Sequence, residues 1–199
     1  MIQDSFFSGL FYTSQKSKLV YTLETLCSNV NITKHQNVKA IISPHAGYQF
    51  SGQQAAESFL SIQNRLAKTI VVLSPSHQHS FDYAAILDAD AYQTPLGRMP
   101  INKKVVTKLT QAPFITVENS MHHQEHGIEV LIPFIQYTNA AQTIVPIVIG
   151  SLHHNVIEGL TDAIQTVTSV EDTIIVASSD FSHFFPRHIA VKMDQLAVD

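Results

Sequence analysis

The chain has 199 residues, of which 45% are hydrophobic and 14% are charged, and its net charge is −4. This length predicts one domain over residues 1–199, and the composition argues against extensive disorder. The charge excludes a basic footprint for nucleic acid, and the single cysteine, Cys27, excludes a disulfide framework. No apolar stretch approaches the ~20 residues of a membrane helix and no secretory signal is evident, so we expect a cytoplasmic protein without a membrane partner.

Apolar runs and amphipathic stretches alternate along the chain. In order, the sequence predicts a helix at 16–27, strands at 38–42, 69–73, 83–87, 143–149 and 173–177, and further helices at 51–66, 127–137, 155–167 and 192–198. Pro133 predicts a kink, Pro146 an edge strand or a bulge, and Asn155 a helix cap. Strands that are apolar on both faces are typical of parallel sheets, so we predict an α/β layered fold with a central, mostly parallel sheet flanked by helices.

Histidines are unusually frequent, with eleven in the chain. His45, His77 and His183 each follow a predicted strand, and the carboxyl ends of parallel strands lie along one edge, where α/β folds place their sites. Neutral imidazole is a common metal ligand and also transfers protons near neutral pH. The pattern predicts a histidine cleft that binds a metal ion, although each histidine taken singly also fits a loop residue bonded to backbone or water.

A further cluster, MHHQEHGIE at 121–129, precedes the predicted helix at 127–137. His123 and His126 are three residues apart and would share a face of its first turn, while Glu125 or Glu129 would complement the helix dipole. The alternative is a solvated polar helix start. Nucleotide-phosphate loops, H-E-x-x-H and G-x-S-x-G are missing from the sequence, so other catalytic classes are less well supported.

Five ordered motifs resemble the MEMO family. They are SPHAGY (43–48), SPSH (74–77), TPLG (94–97), EHGIEV (125–130) and SSDFSH (178–183). The family includes the B-like proteins of the AmmeMemoRadiSam system and is similar in fold to the class III extradiol (LigB-like) dioxygenases. The N-terminal SGLFY (8–12) also looks like the family's start. The resemblance covers essentially the whole chain.

The resemblance implies a set of site residues. His45 and His77 match the family's metal histidines, and Ser182 stands where some members have a third ligand, a cysteine. Serine is a poor metal ligand, so His183, His123 or His126 are alternatives for that role. The implied catalytic residues are His126 and His183, and the implied substrate-binding residues are His123, Tyr48 and Asp180. His123 occupies a position that is acidic in better-known members.

The resemblance also implies a function. It favours a metal-dependent redox or dioxygenase-like enzyme that uses Fe(II), with Cu or Zn as alternatives, acts on a small-molecule or peptide ligand, and has a radical-enzyme system as partner. The alternative is a non-catalytic module that recognises a peptide or small anion in a vestigial cleft. Family members usually continue for several tens of residues beyond the position of Asp199, so we expect this chain to lack the family's C-terminal segment, which supplies the dioxygenases' carboxylate ligand.

Overall fold

The computed structural model describes residues 1–31, 37–63, 67–151, 153–168 and 172–198. None of the helices in these ranges combines the length and the apolarity needed to span a bilayer. The last residues of the helix predicted at 51–66 fall outside the described ranges.

The strands form two sheets. In chain order they are β1 (Ile2–Gln3), β2 (Ala40–Ser43), β3 (Ala67–Pro75), β4 (Ala84–Ile86), β5 (Ala91–Thr94), β6 (Gly97–Pro100), β7 (Ile115–Val117), β8 (Ala141–Ile149) and β9 (Thr173–Ser178). The main sheet has the order β2-β9-β3-β8-β4-β7, and β1, β5 and β6 form a small second sheet. Strands β2, β9, β3 and β8 are all parallel, whereas β4 runs antiparallel to β8. The predicted α/β fold with a central, mostly parallel sheet is confirmed.

Helices flank this sheet in two groups. They are α1 (Lys16–Ser28), α2 (Tyr48–Leu60), α3 (Lys103–Leu109), α4 (His126–Glu129), α5 (Ile132–Thr138), α6 (His154–Thr168) and α7 (Arg187–Val198), with a 3₁₀ turn at Asn119–His122. Helices α1, α2 and α5 pack together, and α3 packs on α6. The central strands are buried because helices cover their apolar side chains, as Ile70, Val145 and Ile174 illustrate.

Pro146 does not mark an edge. Strand β8 lies between β3 and β4, and Pro146 pairs in register with Val72 of β3. On its other side, the antiparallel ladder with β4 stops at the pair between Ile86 and Ile147, the residue that follows Pro146. The carbonyl of Pro146 accepts a bond from the Leu87 N–H. The side of Pro146 that lacks an N–H therefore faces the end of β4, where the ladder stops. The prediction of an edge strand or bulge was wrong because proline here removes only the last bond of one ladder.

The helix predicted at 127–137 is two helices. Helix α4 ends at Glu129, and Pro133 lies in the first turn of α5. Proline is favoured at that position because its N–H would be unpaired there in any case. A new helix therefore starts where the sequence predicted a kink. The predicted cap at Asn155 was also wrong, because α6 already begins at His154.

Candidate metal centre

Two parallel strands deliver the first two histidines. Strand β2 ends at Ser43, two residues before His45, and β3 ends at Pro75, two residues before His77. Both strands pair with β9, in parallel, so their carboxyl ends meet at the same edge. Helix α4, which packs on β3, begins with His126 and adds the third imidazole.

The three imidazoles form one cluster. The ring centroids of His45 and His77 are 5.0 Å apart, those of His45 and His126 are 5.4 Å apart, and those of His77 and His126 are 4.2 Å apart. One ring nitrogen from each residue lies within 4.8 Å of the other two. Nitrogens at this spacing can share one ion after small side-chain adjustments, and imidazole suits Fe, Cu and Zn.

Hydrogen bonding fixes the ring of His45. This side chain is only 2% exposed, and its Nδ1 lies 2.6 Å from the hydroxyl of Ser178. That hydroxyl donates its single hydrogen to the Gly127 carbonyl, so Nδ1 of His45 must be the donor to Ser178. The Nε2 of His45 then carries the free lone pair, which is the form that a metal ligand requires.

Glu125 holds His77 in the same way. Its carboxylate, 2% exposed, accepts Nδ1 of His77 at 2.7 Å and the backbone N–H of His77 at 2.8 Å. It also caps α4 by accepting the Gly127 N–H at 3.0 Å. A carboxylate behind a histidine is the usual outer support of a metal ligand, since it fixes the tautomer and the orientation of the ring. The Nε2 of His77 is left for the cleft.

The three histidines of the cluster differ in pKa. Burial lowers the pKa of His45 to about 4, despite the opposing charge of Asp180. Burial and the neighbouring His77 also lower the pKa of His126. The hydrogen bond to Glu125 raises the pKa of His77. Burial acts to raise the pKa of Glu125, but the bonds from His77 and Gly127 outweigh it, so this pKa is lowered and the carboxylate stays charged. His45 and His126 are therefore neutral, ligand-competent imidazoles at neutral pH.

Asp180 and His183 lie beside the cluster. Oδ1 of Asp180 accepts the backbone N–H of His45 at 2.5 Å, and its Oδ2 is 3.8 Å from Nε2 of His45. The same Oδ2 is 3.8 Å from Nε2 of His183, whose side chain is half exposed. Asp180 thus stands between a buried histidine and a solvent-facing one. His183 also acts to lower the pKa of His126.

The remaining candidates occupy other surroundings. The hydroxyl of Ser182 is buried and has no hydrogen-bond partner among the described residues, while its backbone N–H bonds to Asp194. His123 is exposed and packs its ring edge on Phe6, with the centroids 4.2 Å apart. Tyr48 is buried in the core, where its hydroxyl donates to the Val130 carbonyl. The structure therefore brings His45, His77, His126, Asp180 and His183 together, whereas the side chain of Tyr48 is engaged in packing.

A cavity of about 280 Å³ opens beside His126. Most of its wall is apolar, and Asp180 is the one carboxylate among the described residues that line it. These residues are Leu10, Phe11, Ala46, Gly47, Gln49, Phe50, His126 and Asp180. A small ligand bound there would contact the histidine cluster on one side and apolar groups on the other.

Three supporting features did not emerge from the sequence as site residues. Glu125 was expected to complement a helix dipole, and Ser178 was only part of a motif. Their positions, directly beside His126 and at the end of β9, were the available signals. The rings of Phe7 and Phe11 lie 5.4 and 4.9 Å from that of His126. Phe11 belongs to SGLFY, which resembles the family's start, but neither ring was predicted to reach the site, because no local pattern indicates where an N-terminal segment folds back.

A family model described as Memo-like protein matches residues 4–199. The chain belongs to this family. A MEMO1 family protein of Aquifex aeolicus is 32% identical over 192 residues, covering 96% of this chain and 71% of the relative. One from Thermotoga neapolitana is 31% identical over 213 residues, covering 100% and 76%. One from Saccharolobus solfataricus is 33% identical over 208 residues, covering 96% and 73%. Membership in the Memo-like family confirms the resemblance inferred from the five motifs, and the histidine cluster lies within the matched region.

Proposed function

We propose that the protein binds a divalent metal ion through His45, His77 and His126 and uses it in a redox reaction of the dioxygenase-like type. The observation that carries this proposal is the cluster itself, in which three ligand nitrogens lie within 4.8 Å of one another. Two of these rings have their Nδ1 engaged by an outer hydrogen-bond partner, with Nε2 left over. Such support is expected of metal ligands and is not needed by histidines that merely fill a loop.

The donor set fits Fe(II) as the preferred metal, with Cu and Zn as alternatives. A divalent metal held by three side chains keeps open positions for substrate and supplies Lewis-acid or one-electron chemistry. In this proposal His126 takes the third ligand position, which the sequence left open among several residues. Ser182, the other residue that the resemblance implied as a ligand, has no part in this donor set.

The other residues bind and move protons. His183 is the proposed acid/base, because its half-exposed ring reaches solvent and its Nε2 faces Asp180. Asp180, which lines the cavity, would orient both His183 and a donor group of the substrate. His123 would contact only the outer part of a larger ligand, since its ring packs on Phe6 at the surface.

Metal content of the intact protein tests the proposal. We would purify the chain without oxygen and measure bound metals by mass spectrometry, comparing wild type with His45→Ala/His77→Ala. The matched control is His153→Ala/His154→Ala, which removes two exposed histidines outside the cluster. We expect about one metal ion per chain in wild type and control and far less in the cluster variant. No stoichiometric metal in wild type, or equal metal in all three, overturns the proposal.

A non-catalytic binding module is the second candidate, and the apolar cavity favours it. Leu10, Phe11 and Phe50 suit an apolar side chain of a peptide, whereas the carboxylate of Asp180 disfavours a small anion. Titrating short aromatic peptides against metal-free and metal-loaded protein separates the candidates. Binding that does not change on metal removal supports the module. A cytoplasmic location remains a prediction from the sequence, and a radical-enzyme partner remains a prediction from the resemblance.

A further inference from the structure

The N-terminal segment Phe6–Tyr12 folds over the histidine cluster. The rings of Phe7 and Phe11 lie 5.1 Å apart, and both contact the ring of His126. Within the segment, the N–H groups of Leu10 and Phe11 both bond to the Phe7 carbonyl. The segment is therefore an ordered, internally bonded turn that presents aromatic faces to the third histidine.

A buried carboxylate holds this turn in place. Glu129 is 0% exposed and accepts the backbone N–H groups of Phe6 at 2.7 Å and Phe7 at 2.8 Å, and the hydroxyl of Tyr12 at 2.8 Å. Burial acts to raise the pKa of Glu129, and these donors act against it. A buried carboxylate is costly unless donors surround it, so the three bonds tie the segment to one position.

The segment has a second attachment on the opposite side. The N–H of Tyr48 donates to the Phe11 carbonyl at 2.9 Å, and the rings of Tyr12 and Tyr48 stack with centroids 5.5 Å apart. The turn is thus held between α4 and the start of α2. Neither attachment uses a nitrogen of the three imidazoles, and the turn meets His126 through the rings of Phe7 and Phe11. The turn can therefore be perturbed without removing a ligand nitrogen.

The turn forms one side of the cavity next to His126. Leu10 and Phe50 line it and are 78% and 76% exposed, unusually high for large apolar side chains in one place. Exposed apolar groups that border a cleft are typical of ligand contacts. Asp180 is the charged group among the described lining residues, so the cleft favours a neutral or cationic ligand over an anion.

We propose that Phe6–Tyr12 is the specificity-determining wall of the histidine cleft, and that Glu129 is the positioning residue that holds it. The ligand class that fits is a molecule with an apolar body, packed among Leu10, Phe11 and Phe50, that carries no negative charge. The part of this inference that makes the cleft a reaction site rests on the proposed function. The existence and selectivity of the wall do not.

Three ring probes of similar size test the selectivity. Benzylamine, benzyl alcohol and benzoate would be titrated against the metal-free full chain at about pH 8, above the ordinary histidine pKa of about 6.5, with binding followed by NMR. A protonated His77, whose pKa the bond to Glu125 raises, would act against the expected order. We expect benzylamine and benzyl alcohol to bind at least about 5-fold more tightly than benzoate. Leu10→Ser/Phe50→Ser should weaken both by at least about 5-fold, because it removes exposed contacts without touching the core. The control is Tyr21→Ser, an exposed residue on α1, which should leave them unchanged.

Glu129→Gln tests the positioning role. We expect amide hydrogen exchange at Phe6 and Phe7 to accelerate by about 10-fold or more and ring-probe binding to weaken by about 5-fold. Zn²⁺ affinity should change by less than about 3-fold, and Tyr12→Phe should give an intermediate effect because it removes one of the three bonds. A merely structural role would shift Zn²⁺ affinity and ring binding together.

Each outcome decides the proposal. Unchanged exchange at Phe6 and Phe7, parallel loss of Zn²⁺ binding, or ring binding insensitive to Leu10→Ser/Phe50→Ser overturns it. If Glu129→Gln does not fold, the exposed double variant still decides whether the wall exists. Selective ring binding in a chain that binds no metal would overturn the proposed function but support the specificity-determining wall. Metal binding without ring selectivity would support the proposed function but overturn the wall.

Discussion

Glu125→Gln is the substitution that probes the metal centre most directly. The carboxylate accepts two bonds from His77, through Nδ1 and the backbone N–H, and one from the Gly127 N–H. A glutamine amide has one acceptor oxygen and one NH₂ group. At least one of these donors must therefore face the NH₂, where no hydrogen bond forms.

The expected magnitude follows from those contacts. A hydrogen bond to a buried charged group contributes about 1.5–3 kcal/mol, and its loss here loosens the ring of His77 as well as the cap of α4. Substitutions of such outer supports typically weaken metal affinity by about 10–100-fold, which corresponds to ~1.4–2.8 kcal/mol. We expect the affinities for Zn²⁺ and Fe(II) to decrease by a factor of about 10–100 while the fold is retained.

The assay is competition for Zn²⁺ against a chromophoric chelator, with isothermal titration as a check. Glu24→Gln is the control, because Glu24 is an exposed carboxylate on α1. The reasoning is refuted if Glu125→Gln binds Zn²⁺ within about 2-fold of wild type while His77→Ala abolishes binding. That result would mean that the support behind His77 does not orient a ligand.

Three further predictions concern the stability of the fold and the hydrogen bond from His45 to Ser178. Burial lowers the pKa of His122 to about 4, so the unfolded chain, with a pKa near ~6.5, binds a proton first. His122 should therefore contribute a fall in the free energy of unfolding on the order of 3 kcal/mol as pH drops from ~6.5 to ~4. His45, whose pKa burial also lowers to about 4, adds to the total fall, so the test is the difference between wild type and His122→Gln in urea titrations, and an equally steep fall in the variant would contradict this. Ser178→Ala removes the acceptor of the His45 Nδ1–H and should weaken Zn²⁺ binding by about 10-fold, whereas unchanged affinity would show that the tautomer is fixed otherwise. Phe134→Ala should lower the free energy of unfolding by ~3–5 kcal/mol, because the ring is fully buried; exposed Phe50→Ala should change it by less than ~0.5 kcal/mol, and equal effects would contradict the assigned core.

The placement of two site histidines was predictable because it depends on local pattern and one topological rule. Apolar runs identified β2, β3 and β9, and parallel pairing brings their carboxyl ends to one edge. His45 and His77 therefore meet whatever the details of the loops. His183 follows β9 in the same way, but its ring is half exposed and lies outside the three-histidine group.

Other features depend on pairing that no local pattern encodes. The position of Pro146 in a central strand follows from where β4 stops, which the sequence of β8 does not show. The N-terminal turn reaches the site through bonds to Glu129, more than a hundred residues away. Such long-range contacts leave no periodic pattern in the sequence. The sequence therefore predicted only a helix-dipole role for Glu129, whereas the structure shows that it binds the N-terminal turn.

Gly127 explains why the cluster acts as one unit. Its N–H bonds to Glu125, which supports His77, and its carbonyl accepts the hydroxyl of Ser178, which supports His45. A Cβ at this position would lie 2.1 Å from the hydroxyl oxygen of Ser74 and 3.3 Å from its Cβ, so a side chain here would displace that hydroxyl from its hydrogen bond to the Pro75 carbonyl. His126, the third histidine, directly precedes Gly127. The backbone of Gly127 therefore connects Glu125, which supports His77, and Ser178, which supports His45, to the residue that carries the third ring. Glycine at this position therefore leaves room for the Ser74 side chain of β3 against α4, while its two backbone groups connect the supports of His45 and His77.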